Sequence, residues 1–169
     1  MLKSNNAIAF IDAANLEKSA QGRKIKINYR GLFAFLKNQF NCSQFRYYTV
    51  AFNNNSHQIF LKSLRAKGYI LITKRLKIIN QYIRKANFDV EITFDALLLQ
   101  KNYNTIILFS GDSDFAYLLQ KLKKLFNKKI IVFSTRYHIG KEIIESANKY
   151  YDIIKFPNIY KKQNTPTNK

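Results

Sequence analysis

Acid is scarce in this chain of 169 residues: ten Asp and Glu stand against 29 Lys and Arg, a formal net charge of +19. Cysteine occurs once, at Cys42, which excludes an internal disulfide framework and any zinc site built on several thiolates, and fits a reducing compartment. Five glycines and two prolines leave little punctuation, so connections are expected to be short or stiffened by Asn. Long apolar runs are missing too. The first, Ala7 to Ile11, has five residues, too few for a signal-peptide core, and nothing approaches the roughly 18 that a membrane span needs. A soluble, cytoplasmic protein with no membrane partner is expected. No glycine-rich phosphate loop is present, and "SGDSD" at 110–114 lacks the Gly-x-Ser-x-Gly form of a nucleophile elbow.

What is there begins with the positive charge, spread from Lys3 to Lys169. Such a field favours a polyanion, with nucleic acid first, because neutralising phosphates releases counterions without any base reading. An AT-rich genome also loads proteins with Lys, Asn and Ile, so charge alone decides little. The length suits one domain that buries about 70% of its unfolded surface.

Short apolar runs alternate with segments of helical period, the pattern of βα units around a parallel sheet. Strands are expected at Ala7 to Ile11, Phe45 to Phe52, Tyr69 to Thr73, Thr105 to Phe109, Ile130 to Phe133 and Tyr151 to Ile154. The clearest helix follows Asp114, where Phe115, Leu118, Leu119, Leu122, Leu125 and Phe126 form one apolar stripe. Others are expected near Tyr29 to Asn38, Ser56 to Lys67, Val90 to Lys101 and Lys141 to Asn148. Residues 73–88, with Lys74, Arg75, Lys77, Arg84 and Lys85, read either as a hairpin arm or as a loose loop. Residues 157–169 read as a basic, polar, flexible tail after a domain covering 1–156.

The few acids sit at informative places. Asp12 falls where the first strand ends, Asp112 and Asp114 lie just beyond another strand, and Asp89 opens a helix as an N-cap. In an open α/β sheet the carboxyl ends of the strands line one crevice, so these four aspartates would converge there. Two carboxylates about 4 Å apart repel by roughly 1 kcal/mol in water and about 4 kcal/mol at an effective dielectric of 20. Convergence therefore favours proton sharing or a bound cation. All-oxygen ligation suits magnesium or manganese, which can activate water for in-line phosphodiester displacement. Capping of helix N-termini by the same residues is the plainer alternative. Asp95, six residues after Asp89 and about 240° around a helix, either reaches the crevice from the second helical turn or holds Lys or backbone groups.

In order and spacing, "AFIDAANL" at 9–16, "FDVEITFDALLL" at 88–99 and "LFSGDSDFAYLL" at 108–119 resemble the three motifs of the NYN domain family, in its LabA-like branch, within the PIN-like superfamily of metal-dependent nucleases. The resemblance implies a Rossmann-like α/β sandwich of three layers, with a central, mostly parallel sheet and an acidic pocket binding Mg2+ or Mn2+ for RNA cleavage. It implies metal or catalytic roles for Asp12, Asn15, Asp89, Asp95, Ser110, Asp112 and Asp114, the metal resting on Asp12, Asp89, Asp112 and Asp114 and the serine orienting a carboxylate or water. The first motif reads "DAAN" here, with Ala13 and Ala14 where glycine is usual in the family, and Asn87 stands where the second motif commonly has glycine, as if in a left-handed turn.

Lys18, Arg23, Lys24 and Lys26 after the first strand, Lys74, Arg75, Lys77, Arg84 and Lys85 before the second acidic motif, and Arg136 are the candidates for phosphate contacts along RNA. Tyr82 and Phe88 are candidate stacking platforms for unpaired bases. His57 and His138 have no convincing partner spacing. The reading that follows is a metal-dependent endoribonuclease acting on single-stranded RNA. The alternatives are a regulator that binds nucleic acid without turnover and a phosphatase on a small substrate; a small substrate would need no extended basic surface. A homodimer could form through an edge strand or the tail, although no pattern in the sequence points to one.

Overall fold

In the computed structural model, residues 6–75, 77–78, 84–85 and 87–163 are described, residues 77–78 and 84–85 by their backbone alone. The chain runs β1 (Ala7–Asp12), α1 (Ala13–Gly22), β2 (Ile25–Ile27), α2 (Tyr29–Phe40), β3 (Cys42–Val50), α3 (Asn55–Ala66) and β4 (Tyr69–Lys74). It continues through β5 (Lys77–Ile78), β6 (Arg84–Lys85), α4 (Asp89–Leu98), β7 (Thr105–Phe109), α5 (Ala116–Phe126), β8 (Lys129–Ser134), α6 (Lys141–Ser146), β9 (Lys149–Asp152) and β10 (Tyr160–Lys162).

Six strands form one sheet in the order β4-β3-β1-β7-β8-β9, and every neighbouring pair is parallel. Counting only these strands along the chain, the order is 3-2-1-4-5-6, that of a doubly wound nucleotide-binding sheet whose winding reverses between β1 and β7. Strand alternation divides the core in two. Ala7, Ala9 and Ile11 face a layer with α1, α2 and α3, whereas Ile8 and Phe10 face α4, α5 and α6. With both faces covered, β1 and β7 are buried throughout their length, which is why they read as apolar runs rather than alternating ones. The expected three-layer α/β sandwich is therefore present. Among the described residues no helix is long and apolar enough to cross a membrane.

Asparagine supplies the punctuation that glycine does not. Asn28 and Asn54 cap α2 and α3 by accepting from Gly31 N and His57 N, while Asn41 and Asn127 end α2 and α5 in the left-handed region, at φ 49° and 51°. The segment between the first strand and α2, expected as a connection, contains α1 and β2. Helix α1 was hard to see because its inner face is built from small residues, Ala13, Ser19 and Ala20, with Leu16 the one large apolar side chain. The segment before α4 takes the hairpin alternative, Lys77 pairing with Lys85 and Ile78 with Arg84. Residues 157–163, assigned to the tail on polarity, continue the fold: Ile159 is buried, and Tyr160–Lys162 pairs antiparallel with β2. A single buried isoleucine and a two-stranded ladder carry too little apolar pattern to be legible. Residues 164–169 lie outside the described residues.

Phe109 at the end of β7 is 1% exposed and stacks on Phe133 with ring centroids 4.7 Å apart. Phe109→Ala should cost about 3–5 kcal/mol, measured as a fall in the urea midpoint at unchanged slope.

Candidate metal and catalytic site

β1 and β7 are adjacent at the winding reversal, with Ile11 opposite Phe109, so the residues following both strands emerge at the same edge. Asp12 ends β1 and caps α1, its Oδ1 accepting from Asn15 N at 3.2 Å. After β7, the Ser110 hydroxyl donates to Asp12 Oδ2 at 3.4 Å and accepts from Asp112 N at 3.2 Å, standing between the two motifs. Asp112 caps a single turn, Ser113–Phe115, by accepting from Asp114 N at 3.1 Å. Asp89 approaches from the other layer as the first residue of α4, with its Oδ2 accepting from Asn87 Nδ2 at 2.7 Å. The cap of that helix is Phe88 rather than Asp89. Asn87 serves the site through its side-chain amide.

These carboxylates feel one another. Burial, opposed by the Asn15 amide, and then the charges of Asp89 and Asp112 hold the Asp12 carboxyl above its ordinary value. Burial, Asp112 and Asp114 likewise raise Asp89, against the pull of Asn87 and Lys74. Among the described residues the ion pairs are Arg46–Asp95, Lys74–Glu91 and Lys141–Glu145. None of Asp12, Asp89, Asp112 and Asp114 is in an ion pair there, although the chain carries 29 Lys and Arg. Nor do three His, Cys, Asp or Glu side chains among the described residues stand close enough together to hold a metal ion between them. The donor set is nevertheless of the right kind for magnesium, which keeps several waters and takes only one or two carboxylates besides substrate phosphate.

The loop carrying Asp112 is braced on both sides. Gly111 N donates to Asn15 Oδ1 at 2.9 Å, and Gly111 O accepts from Gly140 N at 2.9 Å. Asn15 thus positions the loop through its side-chain oxygen. A Cβ at Gly111 would lie 1.6 Å from His138 O, so only glycine allows the two loops to approach. Ser113 Oγ donates to Glu142 Oε2 at 2.9 Å, tying the same turn to α6. Glu142 and Gly140 escaped the sequence reading because nothing local distinguishes them from surface residues.

Asp95 does not join the cluster. Its Oδ2 pairs with Arg46 Nη2 at 2.7 Å and accepts from Tyr48 OH at 2.9 Å, both side chains coming from β3. The reason is helical geometry, since residues six apart on α4 point in different directions.

Of the basic candidates, Lys74 is at the rim: its Nζ bonds both Glu91 oxygens, at 2.8 and 2.9 Å, and lies 4.4 Å from the Phe88 ring centre. Arg75 lines a polar groove with Asn53 and Gln58. Arg23 lies over Tyr137 at 5.3 Å, at the C-terminal end of α1. Lys18, Lys24, Lys26 and Arg136 are exposed. Lys77, Arg84 and Lys85 belong to the hairpin described by backbone alone, and Tyr82 lies outside the described residues. Phe88 is 3% exposed, a wall rather than an open platform. His138 binds Thr135, its Nδ1 lying 3.2 Å from the hydroxyl, and His57 Nε2 bonds Val50 O at 2.8 Å. Cys42 is buried, which pushes its thiol up to about 12 and leaves it protonated at neutral pH.

Over residues 6–154 the sequence matches the NYN domain. It is 32% identical over 113 residues to the Low amplitude and bright protein LabA of Synechococcus elongatus, an alignment covering 63% of this chain. The aligned stretch spans 60% of that protein's length. The crystal structure of a Vibrio parahaemolyticus protein of unknown function superposes with a TM-score of 0.83 at 21% identity, over 95% of this chain and 100% of that one.

Asp12→Asn keeps an acceptor for the Asn15 amide and removes the charge. A carboxyl held above its unfolded value near 3.8 stabilises the fold while protonated, and that contribution is lost as pH rises through the folded value. Melting curves in chelator should therefore show the Asn variant as the more stable at neutral pH, by about 2–4 °C for each kcal/mol relieved, with the gain gone below about pH 4. Gly111→Ala should lower stability by about 1–3 kcal/mol, because two backbone segments must part.

Proposed function

This chain belongs to the NYN domain family, and on that premise we propose that it is a metal-dependent ribonuclease that hydrolyses phosphodiester bonds of single-stranded RNA. The observation that carries this reading is the set of mutually repelling carboxylates, without ion pairs among the described residues of a strongly basic chain, at the winding reversal of the sheet. Repulsion of that kind is kept where a cation relieves it.

Of Asp12, Asp89, Asp112 and Asp114, one or two would touch Mg2+ or Mn2+ directly and the others would hold it through its waters. The bound ion would supply charge neutralisation at the phosphate and a water acidic enough to attack it. Ser110 orients the Asp12 carboxylate, Asn15 holds the Gly111 loop in register with α1, and Lys74, itself steadied by Glu91, offers positive charge beside Asp89. The wider basic surface, including Arg75 and Arg136, would attract and align the strand in a salt-dependent way. A single buried cysteine suits a reducing, cytoplasmic setting.

The test is incubation of purified protein with end-labelled single-stranded RNA and magnesium or manganese. Cleavage is expected, abolished by chelator. Asp112→Asn should lose more than the roughly 10–100-fold typical of changes to groups that only support a ligand, and Asn15→Ala should fall within that range. RNA binding without cleavage would instead identify a regulator, and turnover only of small phosphate esters a phosphatase.

A further inference from the structure

Beside the carboxylates is a cavity that the proposed chemistry does not use. It encloses about 300 Å³, at the lower end of the range for small-molecule sites, so it suits one flat ring system. Its walls include Tyr48, Phe52, Phe60 and Phe88, with Ala13 and Ala14 from the first turn of α1. Two of these residues adjoin the carboxylates in sequence: Ala13 follows Asp12, and Phe88 precedes Asp89. The cavity therefore opens at the same sheet edge, next to the cluster. Phe52 is 45% exposed, an aromatic ring left partly in water at the mouth. His57 is fixed as part of the wall by its bond to Val50 O and by edge contact with Phe52 at 5.1 Å.

The polar groups are few. Glu17, from the second turn of α1, places a carboxylate at the cavity, and its Oε1 is already oriented by Tyr29 OH. An acceptor at the margin of an aromatic box is complementary to the amino or imino N–H on the edge of a nucleobase, whose faces are apolar and stack. Outside the mouth, sharing Phe52, runs the polar groove of Asn53, Gln58 and Arg75. At another wall Lys74 lies over Phe88. Cationic side chains thus stand at two walls of the cavity, Arg75 by Phe52 and Lys74 by Phe88.

We propose that this cavity is a base-selection pocket: it receives one unpaired nucleobase of the strand whose neighbouring phosphate lies at Asp12, Asp89 and Asp112. The identity of that strand as RNA rests on the ribonuclease reading above; the capture of a base does not require turnover. Seating a base here fixes the register of the strand and so decides which bond is presented to the carboxylates. Selection falls to Glu17, through the pattern of donors on the edge of the base.

The test uses the full chain in chelator with adenosine, guanosine, cytidine and uridine, which have no phosphate to repel or attract, and reads binding by ligand-observed NMR titration. At least one nucleoside should bind. Phe52→Ala, which removes a stacking wall, and Ala14→Phe, which fills the mouth from an exposed helix position, should each weaken it by roughly tenfold or more. Glu17→Gln should change the ranking of the four nucleosides. Unchanged melting curves show that each variant is folded. No binding by the parent, or binding that neither Phe52→Ala nor Ala14→Phe weakens, overturns the proposal. Nucleoside binding that responds as expected in a protein that cleaves no RNA removes the ribonuclease and leaves the pocket. Cleavage without nucleoside binding removes the pocket and leaves the ribonuclease.

Discussion

Parallel pairing of β1 with β7 delivers two distant stretches of chain, separated by nearly a hundred residues, to the same edge about one strand spacing, roughly 4.8 Å, apart. Because the winding of the sheet reverses between these strands, the helices that follow them pack on opposite faces and a crevice opens between the two strand ends. The Ser110 hydroxyl and the Asn15 side chain then stitch the two strand ends together. Every later feature inherits this geometry: the cap on α1, the turn that carries Asp112 and Asp114, and the approach of α4 from the opposite layer. Loss of register between β1 and β7 would disperse the site even if both halves of the core survived.

The electrostatics divide the acids into two groups. Asp95, Glu91 and Glu145 have cationic partners and do what acids do in most folded proteins. Asp12 and Asp89 are partly buried and feel each other or Asp112 more than any cation among the described residues, so their ionisation opposes folding. In a chain with this excess of lysine and arginine, an ion pair for each would be easy to supply. Its absence among the described residues is a cost to the apo fold that a ligand can recover, the usual trade between stability and a working site.

Aromatic residues serve two purposes. Phe109, Phe133 and Tyr151 stack through the interior and fasten the strands on one side of the reversal, whereas Phe52, Phe60 and Phe88 line a cavity next to the carboxylates. Composition cannot separate the two, because a ring in a wall and a ring in a core look alike in one dimension. Lys74 shows how closely the roles interlock: it spans Glu91, the Phe88 face and the field of Asp89 from the last position of β4.

Much of the architecture was written locally. Apolar runs marked the five strands from β1 to β8 in the sheet, the stripe through Leu118, Leu119 and Leu122 marked α5, and aspartates just past strand ends marked the crevice, whereas β9, expected at Tyr151 to Ile154, is Lys149–Asp152, a polar edge strand followed by a single turn at Ile153–Lys155. Elements with weak apolar signals, α1 with its small inner residues and the β2–β10 ladder, did not. Which carboxylates meet was beyond local reading: Asp89 joins the cluster while Asp95, on the same helix, is claimed by Arg46 and Tyr48 from a strand some fifty residues earlier. The sequence alone determined that acids would crowd the end of a parallel sheet in a basic protein. Only the tertiary structure decided which acids have no ion-pair partner among the described residues and that an aromatic cavity opens beside them, because both depend on the relative placement of side chains that are far apart along the chain.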